Sequence, residues 1–231
     1  MTREIKFGSR RIGYQLYFSQ RKTLGITVDP ELKVIVKAPI NTAIRKVEEK
    51  LRKRAPWIIR QQNYFLSFHP KTPPKKFVKG ETHLYMGRQL RLNIKPGKKN
   101  SVKYKGRYIE VNAKDKSKVK SLVLQWYREH AKRKFPEIAE PLINQFKRYN
   151  VEPSGLYIKE MAKRWGSCTP NGKIILNPEL IKAPKPCIEY VIIHELCHLV
   201  HRSHTKKFFQ LQAKEMNDWI KWKDKLERIM V

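Results

Sequence analysis

Tyr190-Val-Ile-Ile-His194-Glu-Leu-Cys-His198-Leu-Val-His-Arg-Ser-His204 is the stretch on which the reading of this chain turns. Four of the seven histidines lie within it. His194 and His198 are four apart, so on a helix they face the same way and can share a metal ion. Glu195 lies beside that face, placed to accept a proton from an activated water. The apolar lead-in from Tyr190 suits a helix buried in a core, its polar stripe lining a cleft. Two neutral imidazoles and a carboxylate on such a helix need polar partners, and a bound cation supplies one. His204 comes six residues after His198, beyond a turn at Arg202-Ser203, and can point back as a third ligand. Ser203 or Thr205 can cap the helix that follows.

Three histidines with an open fourth position describe a catalytic zinc site, not a closed structural one. Chance produces an H-E-x-x-H in a chain of this size about once in a hundred. His201 reads as a surface turn residue or as a ring stacked over the site, and not as a ligand. Cys197 falls on the side of the helix away from His194 and His198 and reads as core.

Outward from this stretch, the carboxyl half reads as strands leading into helices. A long helical pattern from Ser117 to about Tyr149 carries Val119, Leu122, Trp126, Phe135 and Phe146, with Pro136 and Pro141 expected to divide or kink it. Two strands are predicted next, Gly155–Lys159 and Gly172–Asn177, joined by a turn at Thr169-Pro-Asn-Gly. Helices are expected from Pro186 to about Val200, from Thr205 to about Ala213, and from Trp219 onward. The amino half is rich in strand signals: Arg11–Phe18, Thr23–Val28 and Val34–Pro39, then a helical run from Thr42 to about Phe65 that Pro56 is expected to break or kink. A basic, proline-containing loop from Pro70 precedes short strands at His83–Met86, Leu90–Ile94 and Tyr108–Val111, which suggest a meander. No internal repeat is visible. The expected class is α+β, with a β-rich part over 1–115 and a catalytic part over 116–231.

Fifty-one Lys and Arg against twenty Asp and Glu leave a formal charge of +31. A field of that size suits a polyanionic partner, although lysine-rich surfaces also arise from habitat. Three cysteines, with no C-x-x-C among them, exclude a disulfide framework and a zinc ribbon. The start lacks the apolar run of a signal peptide, and no stretch reaches the eighteen apolar residues of a membrane span. A cytoplasmic setting without membrane attachment is expected.

Arg164-Trp-Gly-Ser-Cys168, Asn171-Gly-Lys-Ile-Ile-Leu-Asn177, His194-Glu-Leu-Cys-His198, and Ser203-His204 followed by Lys206-Lys-Phe-Phe209 together resemble the YgjP-like metallopeptidases. These are relatives of the SprT and WLM metalloproteases in the zincin-like group. The motifs span about Lys163 to Phe209, and the order of the amino-terminal elements fits as well. The resemblance implies a zincin-like fold, a helix-sheet-helix core in which His194, His198 and His204 bind zinc and Glu195 is catalytic. It implies a polypeptide substrate. The spacing also matches the longer metzincin pattern, but His201 stands where that pattern requires glycine.

Several roles stay open on the sequence alone. Trp165 packs under the active helix or touches substrate, and Cys168 reads as a small buried filler. Asn177 bonds a ligand's backbone or caps the next turn. Arg164, Tyr157, His201 and Arg202 are candidate transition-state donors. The same activated water could attack a nucleotide or another phosphate ester instead of a peptide, though no phosphate-cradling glycine run is present. Basic stretches interleaved with aromatics, Arg52–Trp57 and Lys98–Lys105, make nucleic acid a further candidate partner, with or without proteolysis.

Overall fold

The structure is a computed structural model that describes residues 2–66, 73–162 and 164–230. The expected proline-containing loop begins at Pro70, and its first three residues lie outside the described ones. The chain divides into two compact units, Met1–Thr72 and Pro73–Val231.

In the first unit, strands β1 (Thr2–Phe7), β2 (Arg10–Ser19), β3 (Gly25–Val28) and β4 (Val34–Pro39) precede helix α1 (Ile44–Leu66). The sheet order is β1-β2-β4-β3. Two antiparallel hairpins are joined through the parallel pair β2–β4, in which Tyr14 lies opposite Val34 and Leu16 opposite Val36. Alternation sends Ile12, Tyr14, Leu16, Val34, Val36 and Ala38 to one face. Val47, Leu51, Ala55 and Ile58 of α1 complete that small core. Pro56 does not end the helix, which continues to Leu66.

The second unit begins with the same arrangement. Strands β5 (Thr82–Tyr85), β6 (Arg88–Pro96), β7 (Ser101–Lys105) and β8 (Tyr108–Ala113) precede α2 (Val119–Phe146), and the sheet order is β5-β6-β8-β7. The central pair β6–β8 is again parallel. This is not the expected meander: two hairpins lie side by side. It is also a repeat of topology that the residues themselves do not display. Strands β1 and β7 had no separate signal. In β7 the pattern Ser-Val-Lys-Tyr-Lys is mostly polar and sits at a sheet edge. Helix α2 runs unbroken through Pro136 and Pro141.

The remaining elements are β9 (Gly155–Ile158), β10 (Gly166–Cys168), β11 (Lys173–Leu176), α3 (Lys185–Val200), α4 (Lys206–Glu215) and α5 (Trp219–Met230). The third sheet has the order β10-β11-β9. The Thr169–Gly172 turn joins β10 to β11, closed by Gly172 N–H to Thr169 O (2.9 Å), rather than β9 to β11. The latter two run parallel. Among the described residues, five helices and three small mixed sheets make the class α+β, as expected.

The boundary between compact units falls at Thr72/Pro73. The physical reason is the core: Leu92, Ile109 and Val111 of the second sheet share one buried cluster with Val123 and Tyr127 of α2 and Ile188 and Ile192 of α3. The β5–β6 turn reinforces the connection. Met86 and Gly87 both have positive φ (50° and 77°), the pattern of a tight type I′ hairpin. Their N–H groups bond Ile181 O (2.9 Å) and Lys182 O (3.0 Å). A Cβ at Gly87 would stand 2.7 Å from Pro184 Cγ, so only glycine lets the hairpin close on the entry to α3. No described helix is long and apolar enough to cross a membrane.

Candidate metal centre

Helix α3 opens with Pro184 at its cap and Pro186 in its first turn, where a missing N–H costs nothing. Its apolar side, including Ile188, Ile192, Leu196 and Cys197, is fully buried. Cys197 is therefore core, as read. The opposite side presents His194 and His198, one turn apart. The helix stops at His201, whose backbone is extended (φ −131°, ψ 103°). Thr205 then caps α4, its side-chain oxygen accepting from Phe208 N–H (3.4 Å). The short turn between the helices aims His204 back at α3, with Nε2 3.0 Å from His194 Nε2. The three imidazoles offer ligand atoms that all lie within 4.8 Å of one another.

The two helix imidazoles, both partly buried, are oriented from behind. His194 Nδ1 donates to Gln212 Oε1 (2.9 Å), and His198 Nδ1 donates to His201 O (3.3 Å). Both acceptors are carbonyl-type oxygens, so each Nδ1 carries the proton and each Nε2 keeps a lone pair. Phe208, fully buried, supports the whole triad: its ring centroid is 5.0, 4.7 and 4.8 Å from those of His194, His198 and His204. Burial lowers the pKa of His194 to about 4, and lowers that of His198 as well. Both are thus neutral near pH 7, the form that ligates. Nitrogens sharing one tetrahedral zinc at about 2.0–2.1 Å stand about 3.3 Å apart. The donor set therefore fits a divalent ion of zinc's size and ligand preference. Among the described residues, it is the one group of three or more His, Cys, Asp or Glu close enough to hold a metal.

Glu195 is 5% exposed. Burial pushes its carboxyl up to about 7, against the Cys168 backbone N–H and the Arg164 charge, which both favour the ionised form. That N–H ties the carboxylate to β10. The approach is so close that a Cβ on Gly166 would stand 2.6 Å from Glu195 Oε1 and 2.9 Å from Val191 Cγ1. Gly166 is needed here for space, since its backbone conformation is ordinary.

A cleft of about 640 Å³ opens over these groups. Strand β10 forms one wall. It pairs with β11 on one side only, so its other edge borders the cleft. Arg164 and Arg202 line the cleft, whereas Tyr157 and His201 do not. Tyr157 is half exposed beneath Lys173 Nζ, and His201 acts through its backbone carbonyl. Trp165 is partly buried, packs on the main core and lines the cleft. Cys168 is not a buried filler but a half-buried cleft residue. Burial first, and then the Glu195 charge, raise its thiol pKa, so it stays protonated and is a poor nucleophile. Asn177 is structural. Its Nδ2 donates to Met161 O (2.8 Å) and Arg164 O (3.1 Å), and its Oδ1 accepts from Glu179 N–H (3.1 Å).

Sequence reasoning missed Gln212 and Phe208. Both sit on the buried face of α4, and a glutamine sharing that face with Phe208 and Leu211 is the signal that could have singled it out.

The α+β fold thus brings three histidines able to hold a metal ion, and a buried carboxylate, to one cleft. A family model for the YgjP-like metallopeptidase domain matches residues 22–229, and the chain belongs to that family. Comparison with curated proteins finds no match.

Proposed function

We propose that this protein is a zinc-dependent peptidase in which His194, His198 and His204 hold the ion and Glu195 is the general base. The observation that carries the reading is the placement of Glu195. Its carboxylate is tethered to an edge strand and lies beside His194 and His198 on one helix. An edge strand offers its backbone to an extended peptide, so the scissile amide would lie against β10 and next to the base.

Zinc, when bound, supplies a Lewis acid that acidifies water and polarises a carbonyl. Glu195 takes a proton from the attacking water at its carboxylate oxygen. The water oxygen bonds to the carbonyl carbon, the C–N bond breaks, and Glu195 passes the proton to the departing amine. Its raised pKa suits both duties, accepting and returning a proton near neutrality. Gln212 and the His201 carbonyl hold the two imidazoles in the ligating tautomer. Arg164 and Arg202, which line the cleft, are the candidates to meet negative charge on the carbonyl oxygen. The three free cysteines agree with a reducing, cytoplasmic setting.

The test is metal analysis of the purified chain with digestion of a denatured peptide mixture. We expect one zinc per chain, loss of cleavage on chelation, and recovery on adding zinc. Phosphate release from nucleotides with no peptide cleavage would overturn the assignment of substrate.

A further inference from the structure

Tyr190, Trp219, Phe209 and His204 form an arc of nearly parallel rings beside the triad. Tyr190 and Trp219 stack with centroids 6.3 Å apart and planes 12° apart. Trp219 and Phe209 follow at 5.7 Å and 18°, and Phe209 and His204 at 5.9 Å and 22°. The rings come from α3, α5, α4 and the turn before α4. Both ends of the arc line the cleft, through Tyr190 and His204. Tyr190 is one turn before His194, with ring centroids 6.0 Å apart.

The middle of the arc is open. Phe209 is 39% exposed and the neighbouring Ile220 is 58% exposed, while Trp219 is partly covered. Left in water, such apolar area is unfavourable. The surrounding sequence is mixed in charge, with Lys206, Lys207, Lys221 and Lys223 near the two exposed positions and Asp218 and Asp224 among them. The arc begins and ends in the cleft, while Phe209 and Trp219 between those ends lie just outside its lining; β10 lines the cleft with backbone, Ser167 and Cys168.

We propose that this arc is a side-chain subsite that takes a large apolar or aromatic residue of the substrate next to the bond that is cut. The inference rests on the peptidase reading. An extended chain turns successive side chains in opposite directions, so one neighbour of the scissile bond reaches the arc while the next does not. Stacking and area burial favour Phe, Tyr, Trp, Leu or Met there. Phe209 and Trp219 are thereby specificity residues, outside the reacting atoms.

The experiment uses the zinc-loaded chain with a denatured peptide mixture, cut sites being read by mass spectrometry. A matched pair of peptides, with Phe or Gly at the preferred position, is then followed kinetically. We expect large apolar residues to be enriched at one position flanking the cut. Phe209→Ala and Trp219→Ala should lower kcat/KM about 10-fold more for the Phe peptide than for the Gly peptide, the size of one lost apolar contact. Phe209→Leu should restore most of the preference. In the non-cleaving Glu195→Gln background, calorimetry should show the Phe peptide binding about 10-fold more tightly than the Gly peptide, and adding Phe209→Ala should erase the difference. An equal fall for both peptides means the arc only holds the helices together and overturns the subsite. Cleavage without apolar preference overturns the subsite and leaves the peptidase reading standing. Cleavage of no peptide at all overturns both.

Discussion

The two ββββα modules, residues 2–66 and 82–146, share strand order and pairing but differ in what their helices bury. Helix α1 buries a single stripe, Val47, Leu51, Ala55 and Ile58, and Lys50, Arg52, Lys53 and Arg54 on its other faces are exposed. Helix α2 buries nine residues around a wider arc, Trp126, Phe135 and Phe146 among them. Its own sheet and the helix of the metal centre share that surface. The same module is thus a self-contained layer in one unit and a platform for chemistry in the other. What makes the difference is a second apolar face on the helix.

Paired substitutions test that contrast, and the largest effect concerns the two helix cores. Phe135→Ala in α2 should cost about 3–5 kcal/mol, and Leu51→Ala in α1 about 2–5 kcal/mol, in denaturant unfolding. The first should also lower zinc retention and hydrolysis. The second should leave hydrolysis at the wild-type level, and if it does not, the units are not separate in function.

Next comes a pair of glycines. Gly166→Ala should slow hydrolysis about 100-fold with zinc retained, because a displacement of Glu195 by a fraction of its hydrogen-bonding distance suffices. Gly13→Ala in β2, where a Cβ meets nothing closer than Arg3 O at 4.0 Å, should leave the rate unchanged. Two helix glutamines make the third pair. Gln212→Leu should weaken zinc binding about 10- to 100-fold in competition with a chelator. Gln62→Leu, which removes only a bond to Leu32 O (2.9 Å), should not change it.

The smallest effect is at the end of α2. Glu215 has a buried side chain that receives bonds from Arg148, Tyr149 and Gln145, so α4 is tied to the end of α2. Burial opposes its charge, but those bonds outweigh it and lower its pKa below 4.5. A lowered folded pKa means stability present above about pH 4.5 and lost as the pH falls further. Glu215→Gln should cost about 1 kcal/mol at pH 7 and flatten the acid limb of the unfolding profile.

Much of the centre was legible in the chain. His194, His198 and Glu195 follow from helical spacing, and the return of His204 follows from the turn at Arg202-Ser203. Other parts were not legible, for stated physical reasons. Gln212 acts across an interhelical contact that no local pattern encodes. The His201 carbonyl is a backbone group, present at every residue. Strand β10 has three residues and begins with a glycine, so its alternation is too short to read, yet it fixes Glu195. The repeated module is hidden because its two copies share only where apolar residues fall: Leu16 and Val36 in one central pair, Leu92 and Val111 in the other. The parallel pairing of β9 with β11 joins segments separated by β10, so proximity in sequence suggested the wrong partner for the Thr169–Gly172 turn.

The most direct test of the central claim is zinc content and peptide hydrolysis measured together on wild type and Glu195→Gln. The account predicts one zinc per chain in both proteins, with hydrolysis at least about 100-fold slower in the variant. Equal rates in the two, or cleavage by a chain that carries no metal, would contradict it.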